Sequence, residues 1–189
     1  MSSVSVCRVR RREFAEVAAR LASVYVECFA SAPWSEVFLE HEVIQRVETV
    51  LDFDDSVLLI ARSAEQVFGA TMHYPLRYNA EVLQAVGQAH AAAMYCEELF
   101  VTASCQRRGV GGRLFDVATG MAMAMGYATH VLRTASDYDQ ALRFYGARGY
   151  RRVGQMQCRS RKRNGGSVQS VVESRVVLVS EPQQTRGVM

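Results

Sequence analysis

Apolar and polar residues alternate along some stretches of this chain and recur every three to four residues along others. The switches between the two patterns mark out its elements. Val4 to Val9 alternates and predicts a first strand. From Arg12 to Ala30, residues Phe14, Val17, Ala18, Leu21, Val24, Tyr25 and Phe29 fall at helical spacing, a long first helix. Ser31-Ala32-Pro33-Trp34 breaks it, and Ser35 is placed to cap a second helix with Phe38, Leu39, Val43, Ile44 and Val47 on its apolar stripe. Val57 to Ala61 and Gln66 to His73 read as strands joined by a turn at Arg62-Ser63-Ala64-Glu65. Residues 75–94 read either as a short helix around Val82, Leu83 and Val86 or as a loop with one helical turn near the substrate. Tyr95 to Val101 is a strand, and Gly111 to Met125 a long helix that Gly126 ends. Thr129 to Thr134 is a strand, and Tyr138 to Arg148 a helix closed by Gly149. Tyr150 to Cys158 and Val171 to Val179 form a hairpin around a polar loop, Arg159 to Ser170. The order βααββ(α)βαβαββ, without repeat or linker, predicts one α/β domain over residues 1–189.

Between the strand ending at Val101 and the long helix lies Gln106-Arg107-Arg108-Gly109-Val110-Gly111-Gly112-Arg113. A strand, a basic glycine-rich turn and a helix start together make a cradle for a pyrophosphate. Glycines let the backbone approach the anion, and the unpaired N–H groups of the first helical turn point at it. The P-loop spacing, with its Lys-Ser/Thr, is absent, and Leu114 stands where a dinucleotide fingerprint needs its third glycine.

Gln106-Arg107-Arg108-Gly109-Val110-Gly111 instead resembles the Gln/Arg-x-x-Gly-x-Gly/Ala loop of the GNAT superfamily of acetyl-CoA-dependent N-acetyltransferases. Glu97 to Val101 resembles the strand that leads into that loop. Ala141 to Tyr150 resembles the family's later Ala-x-x-x-Tyr-x-x-x-Gly-Phe/Tyr signature. The resemblance is specific over 95–150 and pattern-level elsewhere. It implies a three-layer fold with a central mixed, mostly antiparallel sheet, splayed between its fourth and fifth strands, with helices on both faces. A coenzyme-binding core would span 95–150, the acceptor side 12–50 and 74–94, and a closing hairpin 150–180. Acetyl-CoA is the implied co-substrate. The implied coenzyme contacts are Leu99, Phe100, Val101, Gln106, Arg107, Arg108, Gly109, Val110, Gly111, Gly112 and Arg113. Tyr138 stands where the family commonly has asparagine, a departure that leaves that contact open.

Acetyl transfer to an amine needs an uncharged amine, a held carbonyl, donors for the developing oxyanion and a proton for the departing thiolate. Strand alternation puts Tyr95, Glu97, Leu99 and Val101 on one face and Cys96, Glu98 and Phe100 on the other. By resemblance Glu97 is the general base, in an apolar setting beside Leu99 and Tyr95, or else a salt-bridged glutamate. Glu98 is the reserve base or a contact to a cationic substrate. Tyr145 matches the family tyrosine that protonates the coenzyme sulfur, and a buried core aromatic is the plainer alternative. Trp34 and Glu36 lie in a Pro-Trp-x-Glu turn similar to one in small-molecule members, which places them on the acceptor side. Cys96 and Cys105 flank the loop without a histidine placed to activate them, which favours direct transfer over an acetyl-cysteine route.

Composition adds bounds. Half of the 189 residues are hydrophobic, no apolar run approaches the ~20 residues of a membrane span, and the start lacks a signal-peptide core, so a cytoplasmic protein is expected. The five cysteines and four histidines are scattered, so neither a disulfide frame nor a metal is expected. Net charge is +3, yet eight basic residues and no acid lie between Arg143 and Arg163. Without interleaved aromatics, that run reads as a solvated face with coenzyme-phosphate contacts rather than a nucleic-acid patch. The expected acceptor is a small-molecule primary amine, such as an antibiotic or polyamine-like compound. A protein lysine or N-terminus, and a non-catalytic acetyl-CoA-binding module, are the competing readings. A homodimer through the C-terminal strands is compatible with the fold.

Overall fold

The computed structural model describes residues 4–64 and 66–180. Seven strands form one sheet: β1 (Ser5–Arg8), β2 (Val57–Ser63), β3 (Gln66–Pro75), β4 (Met94–Val101), β5 (His130–Ala135), β6 (Arg151–Asn164) and β7 (Ser167–Ser180). Their spatial order is β1-β2-β3-β4-β5-β7-β6. Every neighbouring pair is antiparallel except β4–β5. On one face, α1 (Ala18–Ala30), α2 (Glu40–Leu51) and α3 (Ala80–Val86) cover a core that includes Phe14, Leu21, Val47, Ile60, Tyr95 and Val177. On the other, α4 (Val110–Ala124) and α5 (Asp139–Gly146) bury Leu114, Phe115 and Tyr145 against Leu59, Cys96 and Leu132. The mixed sheet with helices on both faces is the expected architecture.

β4 and β5 pair only at Met94↔His130, Tyr95↔Val131 and Cys96↔Leu132. Beyond these three positions the strands part. The edge of β4 from Glu97 onward is thus left without its β5 partner, and backbone groups freed in this way need another partner or water. The opening lies at the carboxyl end of β4, just ahead of the N-terminus of α4.

Four local expectations are corrected. The first helix begins as a 3₁₀ turn (Arg11–Glu16), and α1 proper starts at Ala18. Ser35 does not cap the second helix, because its backbone sits at φ +49° inside a tight turn whose Trp34 and Ser35 N–H groups both reach the Ser31 carbonyl. α2 starts at Glu40 instead, and the Leu39 N–H is satisfied by the Glu42 carboxylate at 3.2 Å. The fifth helix stops at Gly146, although Gly149 does take a positive φ of 81° just beyond it. The polar segment 159–170 is strand rather than loop. β6 and β7 pair all the way to Asn164↔Ser167 around Gly165 and Gly166, both at positive φ, as a tight hairpin turn demands. Glu65, in the expected β2–β3 turn, lies outside the described residues.

His73 is fully buried on β3, its Nε2 paired with the Thr71 hydroxyl at 2.8 Å and its Nδ1 without a partner. Burial, and then the neighbouring His130, push its pKa down to about 3. Unfolded, the ring takes a proton near 6.5, so between about pH 6.5 and 3 the unfolded chain binds the extra proton. Stability is therefore full above pH 6.5 and falls as pH drops, by at most about 1.4 kcal/mol per pH unit for this one group. His73→Gln should make denaturant-measured stability fall less steeply between pH 6.5 and 4.5 than in the parent. An unchanged slope would show that the ring is not the responsible group.

Candidate active site

The turn that the sequence marked as a pyrophosphate cradle is built by backbone conformation. Arg107 (φ 56°) and Gly109 (φ 79°) both take left-handed backbone, and Gly109 is the N-cap of α4. A left-handed N-cap followed by Val110, Gly111 and Gly112 leaves the first N–H groups of α4 unpaired and unobstructed. The Gln106 side chain does not point out for a ligand. It donates to the Val101 carbonyl at 3.1 Å and ties the loop to the end of β4. A cavity of about 520 Å³ opens here and is lined by Leu99, Phe100, Val101, Gln106, Arg107, Gly109, Gly111, Gly112 and Tyr138. Arg108, Val110 and Arg113 lie outside that lining. Val110 packs into the core beneath α4, and Arg113 donates to the Val4 carbonyl on the far side.

Glu97 and Glu98 do not alternate. The β3–β4 register slips between Met72↔Glu98 and His73↔Cys96, so Glu97 is the extra residue of a β-bulge. The bulge turns both carboxylates toward α2. The Arg46 guanidinium reaches Glu98 at 2.6 Å and contacts Glu97 through two of its nitrogens. Tyr25 completes the group. Its hydroxyl donates to Glu98 at 3.1 Å and accepts from Arg46 at 3.0 Å. Burial first, and the Glu98 charge next, hold the Tyr25 phenol well above its ordinary pKa. The Tyr74 phenol is likewise raised by burial and by Glu97. The apolar setting expected for Glu97 is thus replaced by a charged and hydrogen-bonded one.

These carboxylates line a second cavity, of about 490 Å³, together with Glu36, Arg46, Arg133, Arg175 and the β6–β7 hairpin. The turn after α1 roofs it. Val37 N–H donates to the Arg161 carbonyl at 2.7 Å and Arg163 N–H to the Ser35 carbonyl at 3.1 Å, stitching that turn to β6. Glu36 is buried and bonded to Arg175 at 2.7 Å. Desolvation raises its pKa against the lowering effect of Arg175. Residues 75–94, expected beside the substrate, line neither cavity. Pro75 pairs with Met94 at the opposite end of β4 from the opening, and α3 buries Val82 in the core there.

Tyr145 lines both cavities, as do Phe29, Trp34, Leu99, Tyr138 and Ala141. Its ring is packed against Phe115, Phe144 and Tyr150 at centroid distances of 5.4, 5.1 and 5.8 Å. Burial drives its phenol well above the usual pKa, so it holds its proton at any working pH. Trp34 meets Tyr138 edge-on at 5.0 Å and lies under Arg175 at 5.3 Å. The partition between the two cavities is therefore mostly aromatic, with two phenols in it, Tyr138 and Tyr145.

A family model described as "Acetyltransferase (GNAT) domain" matches residues 26–163. The chain belongs to the GNAT acetyltransferase family. It is an acyltransferase, and acetyl transfer is its chemistry. Solved structures share its fold at low identity. A ribosomal-protein-alanine N-acetyltransferase from Brucella melitensis is 12% identical with a TM-score of 0.68, over 94% of this chain and 99% of that one. An acetyltransferase from Salmonella typhimurium with its cofactor acetyl-CoA is 12% identical with a TM-score of 0.65, over 97% and 96%. A GNAT family acetyltransferase from Elizabethkingia anophelis with acetyl-CoA bound is 16% identical with a TM-score of 0.59, over 94% and 97%. No curated protein sequence matches the chain. Among the described residues of this GNAT protein, no group of three or more His, Cys, Asp or Glu could hold a metal, and no helix is long and apolar enough to cross a membrane.

Arg46, Arg133, Arg148 and Arg175 escaped the sequence reading. Arg46 carried a signal, since it sits among Val43, Val47 and Val50 on the buried stripe of α2, where an unpaired charge would not be tolerated. Arg148 lines the coenzyme-side cavity, stacks on Phe144 at 3.9 Å and pairs with Asp116 at 2.9 Å. Removing Arg46 leaves two adjacent carboxylates sharing a part-buried site with no cation. Arg46→Met should cost the GNAT domain about 3–5 kcal/mol in urea denaturation. A loss below about 1 kcal/mol would show that water, not Arg46, neutralises the pair.

Proposed function

We propose that this acetyltransferase moves the acetyl group of acetyl-CoA directly to the primary amine of a small molecule, in a complex that holds both substrates at once. The observation that carries this reading is the shared wall. Tyr145, Leu99 and Trp34 face the glycine-loop cavity on one side and the carboxylate cavity on the other. The donor and acceptor therefore meet across these residues.

The donor side fits acetyl-CoA. The first N–H groups of α4 and Arg107 hold the pyrophosphate, and the unpaired edge of β4 offers main-chain groups to the pantetheine amides. When bound, the coenzyme supplies an activated acyl carbon and a thiolate leaving group. On the acceptor side, two carboxylates face one guanidinium, which leaves one net negative charge to draw in an ammonium. Glu97 then takes the proton, by itself or through water, with Glu98 held by Tyr25 and Arg46 as the second charge. Tyr145 gives its proton to the departing sulfur, a role for which a phenol held in its neutral form is suited. Cys96 is no nucleophile in this scheme, because burial raises its thiol far above its usual range.

A small acceptor is favoured over a protein because the cavity is walled by α2, the 34–38 segment, β4, β5 and the β6–β7 hairpin. Ligand pockets commonly have this size of a few hundred cubic ångströms. Glu36 and Trp34 form part of that wall. Tyr145→Phe and Glu97→Gln should each lower kcat by about 10²–10⁴ while calorimetric acetyl-CoA affinity stays within about threefold. Unchanged turnover in either variant would reassign that residue. Transfer to peptides but to no small amine would turn the reading to a protein acceptor, and acetyl-CoA binding without any transfer would turn it to a binding module.

A further inference from the structure

Among the described residues, the arginines that line the acceptor cavity are paired off except for the exposed Arg159 and the part-buried Arg133. Arg46 is held by Glu97 and Glu98, Arg175 by Glu36 and Glu173, and Arg161 by Glu42. Arg133, on β5 at the lip of the opening, has no carboxylate within ion-pair distance among the described residues. Among the described residues its side chain donates to the Cys158 sulfur, at 3.4 Å. It is only partly exposed, lines the cavity, and lies close enough to Glu97 and Glu98 to feel both charges.

A guanidinium cannot shed its proton to escape this setting, and it offers five donors in a planar fork. A largely desolvated charge without a counter-ion is costly, and a weak acceptor such as a thiol offsets little of that cost. The same cavity carries a net negative group at Glu97, Glu98 and Arg46. It therefore presents one negative and one positive locus to a single ligand. A polyamine would leave Arg133 facing a second cation, which like-charge repulsion disfavours.

We infer that the acceptor carries an anionic group, a carboxylate or a phosphorus oxyanion, in addition to its amine, and that Arg133 receives it. This rests on the reading of the cavity as the acceptor side of acetyl transfer. The ammonium lies toward Glu97 and Glu98, and the acid is gripped by the guanidinium fork on β5. Such bidentate pairs are strong and directional.

The test uses matched amines with acetyl-CoA and a free-thiol assay. Amino acids and aminophosphonates are compared with the corresponding amides and with the amines lacking the acid group. The wild-type protein should favour the acids by about 10–100-fold in kcat/KM, and the carboxylate and phosphonate arms tell which oxyanion is used. Arg133→Gln should raise KM for the acids by a similar factor and leave KM for the amides unchanged, and Arg133→Lys should restore part of the preference. Equal kcat/KM for acids and amides in the wild-type protein overturns the anionic subsite while small-amine transfer stands, and that comparison needs no variant to fold. A uniform loss across both members of each pair in Arg133→Gln also overturns it. If acetyl-CoA binds but no amine in the panel is acetylated, the small-amine reading fails and the subsite with it.

Discussion

The parting of β4 from β5 after Cys96 is the constraint on which both halves of the site depend. A parallel pair continued to Val101 would have satisfied the β4 edge with β5 and left no room between them. By diverging after Leu132, β5 opens a wedge with main-chain groups on one wall and Arg133 on the other. The wedge alone would place Glu97 and Glu98 on opposite faces of β4, one toward α2 and one toward α4. The bulge against β3 resolves this by adding one residue at that point. Both carboxylates then face the same cation, and alternation resumes with Leu99 toward α4 and Phe100 toward Tyr25. One irregularity in hydrogen-bond register thus sets the electrostatics of the acceptor side.

The group formed by Arg46, Glu97, Glu98 and Tyr25 is a poor device for stability. Taking three charges partly out of water costs several kcal/mol per ion, and well-packed apolar side chains in their place are often neutral or better. The apolar stripe of α2 offers just such neighbours on either side of Arg46. A two-to-one ratio of acid to base also leaves the group short of one positive charge. Under the proposed function, an acceptor arriving as an ammonium would supply that charge.

The order of elements was legible because most of it is local. Period-two and helical spacing located the strands and the principal helices, and the loop from Gln106 to Gly112 declared itself through its glycines, of which Gly109 takes left-handed backbone. The glycine-loop cavity was legible for the same reason, though Arg108, Val110 and Arg113 lie outside its lining. The acceptor side was not, because it is assembled from pieces distant in sequence. Arg46 and Glu97 are brought together from two elements, and the bulge that aligns Glu97 with Glu98 depends on the β3 register, which β4 alone does not reveal. The strand to which the roofing turn is tied came from segment 159–170, which read as a polar loop. There Asn164-Gly165-Gly166 was the overlooked hairpin signal. Residues 75–94 misled because a short helix preceding the central strand says nothing about which end of that strand it will cover.

The two proposed proton-transfer groups sit in different surroundings on either side of the shared wall. Tyr145 lies among Phe115, Phe144 and Tyr150, where no cation offsets its burial enough to favour the phenolate, so it can give a proton but does not stand ionised at rest. Glu97 and Glu98 lie across the partition, bonded to the Arg46 guanidinium. In an acetyl transfer the proton must leave the nitrogen on one side and reach the sulfur on the other. Among the described residues shared by the two cavities, Tyr138 and Tyr145 carry hydroxyls.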